Sequence, residues 1–136
     1  MTVPWVQKAS PAVASLAASM NLSAVALVAP YAATISAVQY VPNGTQAGGI
    51  AANHRLLSLY NRGAAGTGTT RVATLDLTSG VAGGTLTDNV PSSLTLTATT
   101  SFLTVAAGDV LEWESSMSAT GMLDPGGRVI VTFNRV

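Results

Sequence analysis

From residue 32 onward, apolar and polar positions alternate with a period of two, in short runs broken by glycine, proline and asparagine. Such alternation predicts half-buried β-strands. In residues 71–77, Ala73, Leu75 and Leu77 share one face while Thr74 and Asp76 take the other. In 94–99 the leucines face inward and the threonines outward. In 110–117, Leu111, Trp113 and Met117 lie opposite Glu112 and Glu114. In 128–133, Val129, Val131 and Phe133 are the buried set. Residues 32–41, 55–60 and 102–105 add three further strands, for seven in all, with exposed faces coated in threonine, a good β former.

The punctuation agrees with the pattern. Pro42-Asn43-Gly44, Asn61-Arg62-Gly63, Ser79-Gly80, Gly83-Gly84, Ala107-Gly108-Asp109 and Asp124-Pro125-Gly126-Gly127 all fall between the runs. Pro125 before Gly126 suits a type II turn, because proline sets the first central φ and glycine permits the positive second one. Short alternating strands joined by such turns predict an all-β fold, an antiparallel β-sandwich of jelly-roll-like kind. No period of 20–50 residues repeats, which argues against propellers and solenoids.

Residues 1–31 read differently and are assigned as an N-terminal arm, with residues 32–136 as the sandwich domain. Ser10 and Pro11 suit the N-cap and first position of a helix over 12–20, with Asn21 as its stop. The same stretch also reads as extended, with a strand over 22–28, and both readings stay open. Either way the arm is apolar and almost uncharged. Its Trp5, Val6, Leu16, Met20, Leu22, Val25 and Leu27 are the candidate partner-binding residues, since a solvated surface of this kind would be sticky. A signal peptide or membrane span is disfavoured. No basic cluster precedes Lys8, and serines and Asn21 interrupt the alanine-rich run.

Composition sharpens this picture. Of 136 residues, 48% are hydrophobic but only 9% are charged, against about 25% in an average soluble domain. Six basic and six acidic residues cancel. A phosphate-neutralising nucleic-acid binder is therefore not expected, nor is adsorption to an anionic membrane. A small neutral chain with so few ions tends to self-associate, so much of its surface is expected to lie against other subunits. The four bases Lys8, Arg55, Arg62 and Arg71 precede every acid, whereas all six acids follow Leu75. That asymmetry allows head-to-tail contacts between copies; intramolecular pairing is the simpler reading.

Candidate chemistry is thin. There is no cysteine, which removes disulfides, zinc–thiolate sites and thiol nucleophiles. His54 cannot by itself supply the imidazoles of a common catalytic zinc site, and no G-x-S-x-G elbow accompanies it. Asp109, Glu112, Glu114 and Asp124 lack an EF-hand-like spacing and read as solvated or interface charges. Residues 63–70 resemble a phosphate loop in glycine content alone; they lack the G-K-[ST] ending and read as a strand connector. Trp113 falls on the core face, and Trp5 reads as an interface anchor. No catalytic residue, metal or cofactor is expected.

The run Leu56-Leu57-Ser58-Leu59-Tyr60-Asn61-Arg62-Gly63, then residues 66–73, resembles small virion proteins of tailed phages. So do residues 103–111, Thr120-Gly121 and residues 124–129. The likeness covers residues 55–133 and is to capsid decoration or minor capsid proteins of phages infecting actinobacteria. It implies a sandwich made in the host cytoplasm that binds the outside of the capsid in the virion, as a trimer, with the major capsid protein and itself as partners. The arm is then expected to dock on the shell or on a neighbouring copy. The alternative is a receptor- or carbohydrate-binding sandwich of a tail or fibre, which requires exposed aromatics and polar groups around one loop cluster.

Overall fold

The computed structural model describes residues 5–136. Ten strands form it: β1 (Trp5–Ala9), β2 (Leu22–Val28), β3 (Ala33–Pro42), β4 (Arg55–Asn61), β5 (Thr70–Asp76), β6 (Ser92–Ser93), β7 (Thr95–Leu96), β8 (Thr104–Val105), β9 (Val110–Met117) and β10 (Gly127–Arg135). They make two antiparallel sheets packed face to face, a β-sandwich. The first runs β1-β10-β3-β6, with β8 also on β3, and the second runs β2-β9-β4-β5-β7.

The period-two pattern is what builds the core. Ile35, Val38, Tyr40, Val129, Val131 and Phe133 from the first sheet meet Leu57, Leu59, Leu75, Leu111 and Trp113 from the second, all buried. Tyr40 and Trp113 stack across the interior with centroids 5.1 Å apart. A strict alternation would have failed in β3, where both Ile35 and Val38 point inward. A bulge at Ser36 resolves this: Ile35 pairs with Phe133 and Ala37 with Thr132, so one extra residue resets the phase.

Residues 5–29 are part of this sandwich. β1 forms the edge of the first sheet against β10, and β2 the edge of the second against β9. Between them the chain crosses from one sheet to the other in extended form, and the helix over 12–20 is not formed. Its backbone groups find tertiary partners instead. The Val13 and Leu16 N–H groups donate to the carbonyls of Gly127 and Asp124, and a helix so short has little stability of its own to set against that. Ser10 is not a cap either. Its hydroxyl accepts the Val129 N–H at 2.9 Å, carrying the β1–β10 ladder up to Pro11, which has no N–H to give.

Two other expected strands are cut short. Of residues 94–99 only Thr95 and Leu96 are strand, as β7 on β5 in the second sheet, and just before them β6 (Ser92–Ser93) pairs with β3 in the first. Leu94, buried between them, marks where the chain changes sheets. In 102–105 the strand is only β8, because Thr100–Leu103 is a single 3-10 turn. Gly126 takes the positive φ, +77°, that the Pro125-Gly126 pair was read to need, while the Gly127 N–H donates across to the Val13 carbonyl.

Candidate functional site

The arm residues singled out from sequence divide into three groups. Trp5, Met20 and Val25 are more than half exposed, and so is neighbouring Val28. Leu22 and Leu27 pack against the core, and Val6 is half-buried opposite Phe133. Leu16 is buried, at 6% exposure, and is thereby removed from any docking surface. Register explains the split. In β2, Ser23 and Val25 lie opposite Glu114 and Glu112 on the outer face, while Leu22 and Ala24 lie opposite Ser115 and Trp113 on the inner one. Trp5 pairs with Asn134 on the outer face of the first sheet. β1 and β2 touch, so these residues line the two edge strands on one flank of the sandwich, Trp5 opening on the outer face of the first sheet and Val25 and Val28 on that of the second.

That flank also carries devices that make bare strand edges selective. Lys8, the sole lysine, stands on β1 opposite Val131, on the core-facing side of an edge strand yet exposed. Such an inward-pointing charge opposes indiscriminate edge pairing. The register shift at Ala26 breaks β2 in the same way.

Beneath the flank lies a buried polar network. Arg55, Ser115, Asp124 and Tyr40 are all fully buried or nearly so. The Tyr40 hydroxyl donates to Asp124 Oδ1 at 2.8 Å, and the Ser115 hydroxyl donates to Oδ2 at 2.6 Å. Arg55 donates to the carbonyls of Met122, Ser115, Ala17 and Ala18 and to Ser115 Oγ. Ser115 thus links the two charges, and Arg55 ties the arm to the second sheet. Burial, reinforced by the negative charge of Asp124, pushes the Tyr40 phenol well above its ordinary range. Burial also lowers Arg55, against an upward pull from Asp124. Every polar group here is spent on the fold, and none faces a substrate.

The other candidates have structural partners. His54 Nδ1 lies 2.9 Å from the Ala51 carbonyl, and its Nε2 lies 3.7 Å from Asp76 Oδ1. The nearby Thr78 hydroxyl donates to that carboxylate and not to the imidazole, the reverse of what a nucleophile needs. Glu112 Oε1 receives two N–H groups of Arg62, at 2.6 and 3.1 Å. Asp109 closes the Ala106–Asp109 turn and accepts from Asn61. Residues 63–70 are the connector of the β4–β5 hairpin, fastened by Arg62 Nη1 on the Gly68 carbonyl at 2.9 Å. Among the described residues no three His, Asp or Glu side chains gather as a metal site, and no helix is long and apolar enough to cross a membrane.

Two concavities were not foreseen. One, about 280 Å³, lies on the first sheet between Ala9, Val41, Asn43, Asn89, Arg128 and Ile130. The larger, about 450 Å³, lies on the second sheet and is lined by Tyr60, Thr69, Thr70, Arg71, Thr97 and Phe102. The alternation in 55–60 held a signal for it, since Tyr60 has the parity opposite to the buried Leu57 and Leu59. Compared with known proteins, the chain matches no family, no curated protein and no solved structure.

Proposed function

We propose that this chain is a structural virion protein that binds the outer surface of a phage capsid and cements or decorates it, with the major capsid protein and further copies of itself as partners. The observation that carries the reading is the flank formed by β1 and β2. There Trp5, Met20, Val25 and Val28 lie exposed on a chain with only 9% charged residues. The resemblance of residues 55–133 to capsid decoration proteins points to the shell as the surface that covers them. Such a protein needs rigid sheets and many copies. A stable contact covers about 800 Å² per partner, and repetition over a symmetric shell multiplies weak contacts through effective concentration.

Removing residues 1–31 is a poor test, because it takes Val13, Ala26 and Ala29 out of the core along with an edge strand from each sheet. Substituting exposed side chains leaves the fold alone. The variant carrying Val25→Lys and Val28→Lys is therefore added to capsids prepared without the protein, and occupancy is measured by co-sedimentation. Burying two unpaired ammonium groups in an apolar contact lowers affinity by about tenfold or more. Equal occupancy of variant and wild type, or a wild type that fails to co-sediment, overturns the proposal.

A further inference from the structure

We propose that the cleft on the second sheet binds an acidic sugar, a pyranose bearing a carboxylate. The cleft of about 450 Å³ is within the usual range for small-ligand sites, about 300–1,000 Å³. Three chemistries converge in it. Tyr60 and Phe102 supply ring surfaces for the apolar C–H face of a pyranose. Thr69, Thr70 and Thr97 supply hydroxyls. Arg71 supplies a guanidinium.

The charges decide the ligand's sign. Arg62 lies over the Tyr60 ring, 4.7 Å from its centroid, but its charge is answered by Glu112 at 2.6 Å. Arg71, the register partner of Tyr60 on β5, is exposed and forms no salt bridge among the described residues. The cleft therefore holds one uncompensated cation, with a planar fork that suits a carboxylate. The hydroxyls favour a sugar over a bare phosphate. A threonine hydroxyl donates and accepts, as every sugar hydroxyl does, whereas a phosphate oxygen accepts only. Thr97 Oγ1 already accepts the Thr99 N–H at 3.3 Å, which leaves its own proton to donate.

The site is also built in advance. Thr69 and Thr70 follow a hairpin connector pinned in both directions between Arg62 and Gly68, so little ordering cost falls on binding. Phe102 is 44% exposed on a 3-10 turn none of whose residues is buried, so its ring owes nothing to the core. The cleft spans β4, β5 and the residues after β7, on the same outer face as Val25, since Val25 and Tyr60 are both register partners of Glu112 on the intervening β9. Ligand binding rests on the lining of the cleft and shell docking on the β1–β2 flank, and titration of the free chain tests the first without the second.

The test titrates the full chain with trigalacturonate and with sialyllactose, followed by calorimetry and by backbone amide shifts. The methyl ester of each sugar and inorganic phosphate serve as controls. At least one of the two acidic sugars binds saturably, with shifts centred on residues 69–71 and 97–102. Esterification and Arg71→Gln each weaken that binding by about tenfold or more, and Phe102→Ala weakens the acid and its ester alike. Both substitutions are at exposed side chains, and unchanged thermal melts verify the fold. The proposal is overturned by the absence of saturable binding to both acids, by equal binding of acid and ester, by an Arg71→Gln variant that binds as wild type, or by phosphate that binds as tightly as the sugar.

Discussion

Asp124 is fully buried and accepts from the Tyr40 hydroxyl, the Ser115 hydroxyl and the Gly126 N–H. A carboxylate in that position is tolerable only while its donors keep their protons. Tyr40 is the donor whose proton is exposed to pH. Burial and the adjacent charge raise its folded value above the ordinary one, which is about 10. The sign follows directly. Below about pH 10 the phenol is neutral in both states and its contribution is complete. Above that, the unfolded chain ionises and the folded one resists, so stability falls with rising pH. Tyr40→Phe therefore costs about 1–3 kcal/mol at neutral pH, the cost of leaving Asp124 short of a donor. The gap between wild type and variant narrows as the pH climbs past about 10. Urea unfolding of both proteins at neutral and alkaline pH checks this; a gap independent of pH would mean that another group governs the alkaline limb.

At the scale of elements, the segment between β1 and β2 is held by close backbone approach as much as by side chains. A Cβ on Gly126 would come within 2.7 Å of the Val13 carbonyl oxygen and 2.8 Å of the Ser15 nitrogen, whereas one on Gly108 would meet open space. Both glycines have positive φ, +77° and +88°, so alanine brings a similar backbone strain of about 1–2 kcal/mol at either site. Gly126→Ala must in addition push the crossing segment off the sandwich. It is expected to cost clearly more than Gly108→Ala in a urea melt and to open residues 13–18 to proteolysis; equal costs would show that the segment is not clamped there. This element also marks the limit of what the sequence discloses. Strands such as 110–117 were legible because Leu111 and Trp113 alternate with glutamates, leaving one way to bury the apolar set. The path of residues 10–21 was not, because carbonyls of Asp124 and Gly127, over a hundred positions away, decide it. The strand expected over 102–105 is half formed: Thr104 and Val105 pair with β3, while Phe102 and Leu103 belong to the 3-10 turn Thr100–Leu103. The large cleft was equally hidden, since Tyr60, Arg71 and Phe102 meet only after a hairpin and a crossover between sheets bring them together.

Over the whole molecule, folding spends part of the charge asymmetry that the sequence displays. Arg62 pairs with Glu112, and Arg55 reaches Asp124 through Ser115. His54 faces Asp76, and Arg135 lies over the ring of Tyr31. Two of the four front bases are answered by the acidic rear in this way, Arg62 directly and Arg55 through Ser115, while Lys8 and Arg71 form no salt bridge among the described residues. Lys8 and Arg71 are the front bases left for ionic contact between copies, while Trp5, Val25 and Val28 stay more than half exposed along one flank. Association between copies is therefore expected to be apolar in origin. Its salt response discriminates, because ion pairs between subunits are screened within about 10 Å at 0.1 M salt, whereas apolar contacts are strengthened by an excluded salt such as sulfate. Sedimentation velocity should show mass rising with protein concentration, most steeply near the isoelectric point of about 6.5, where net repulsion vanishes. Added sulfate should increase that mass, and Val25→Lys with Val28→Lys should reduce it. Dissociation by salt would return the assembly to charge pairing, and a chain that stays monomeric at every concentration would leave the flank without a partner of its own kind.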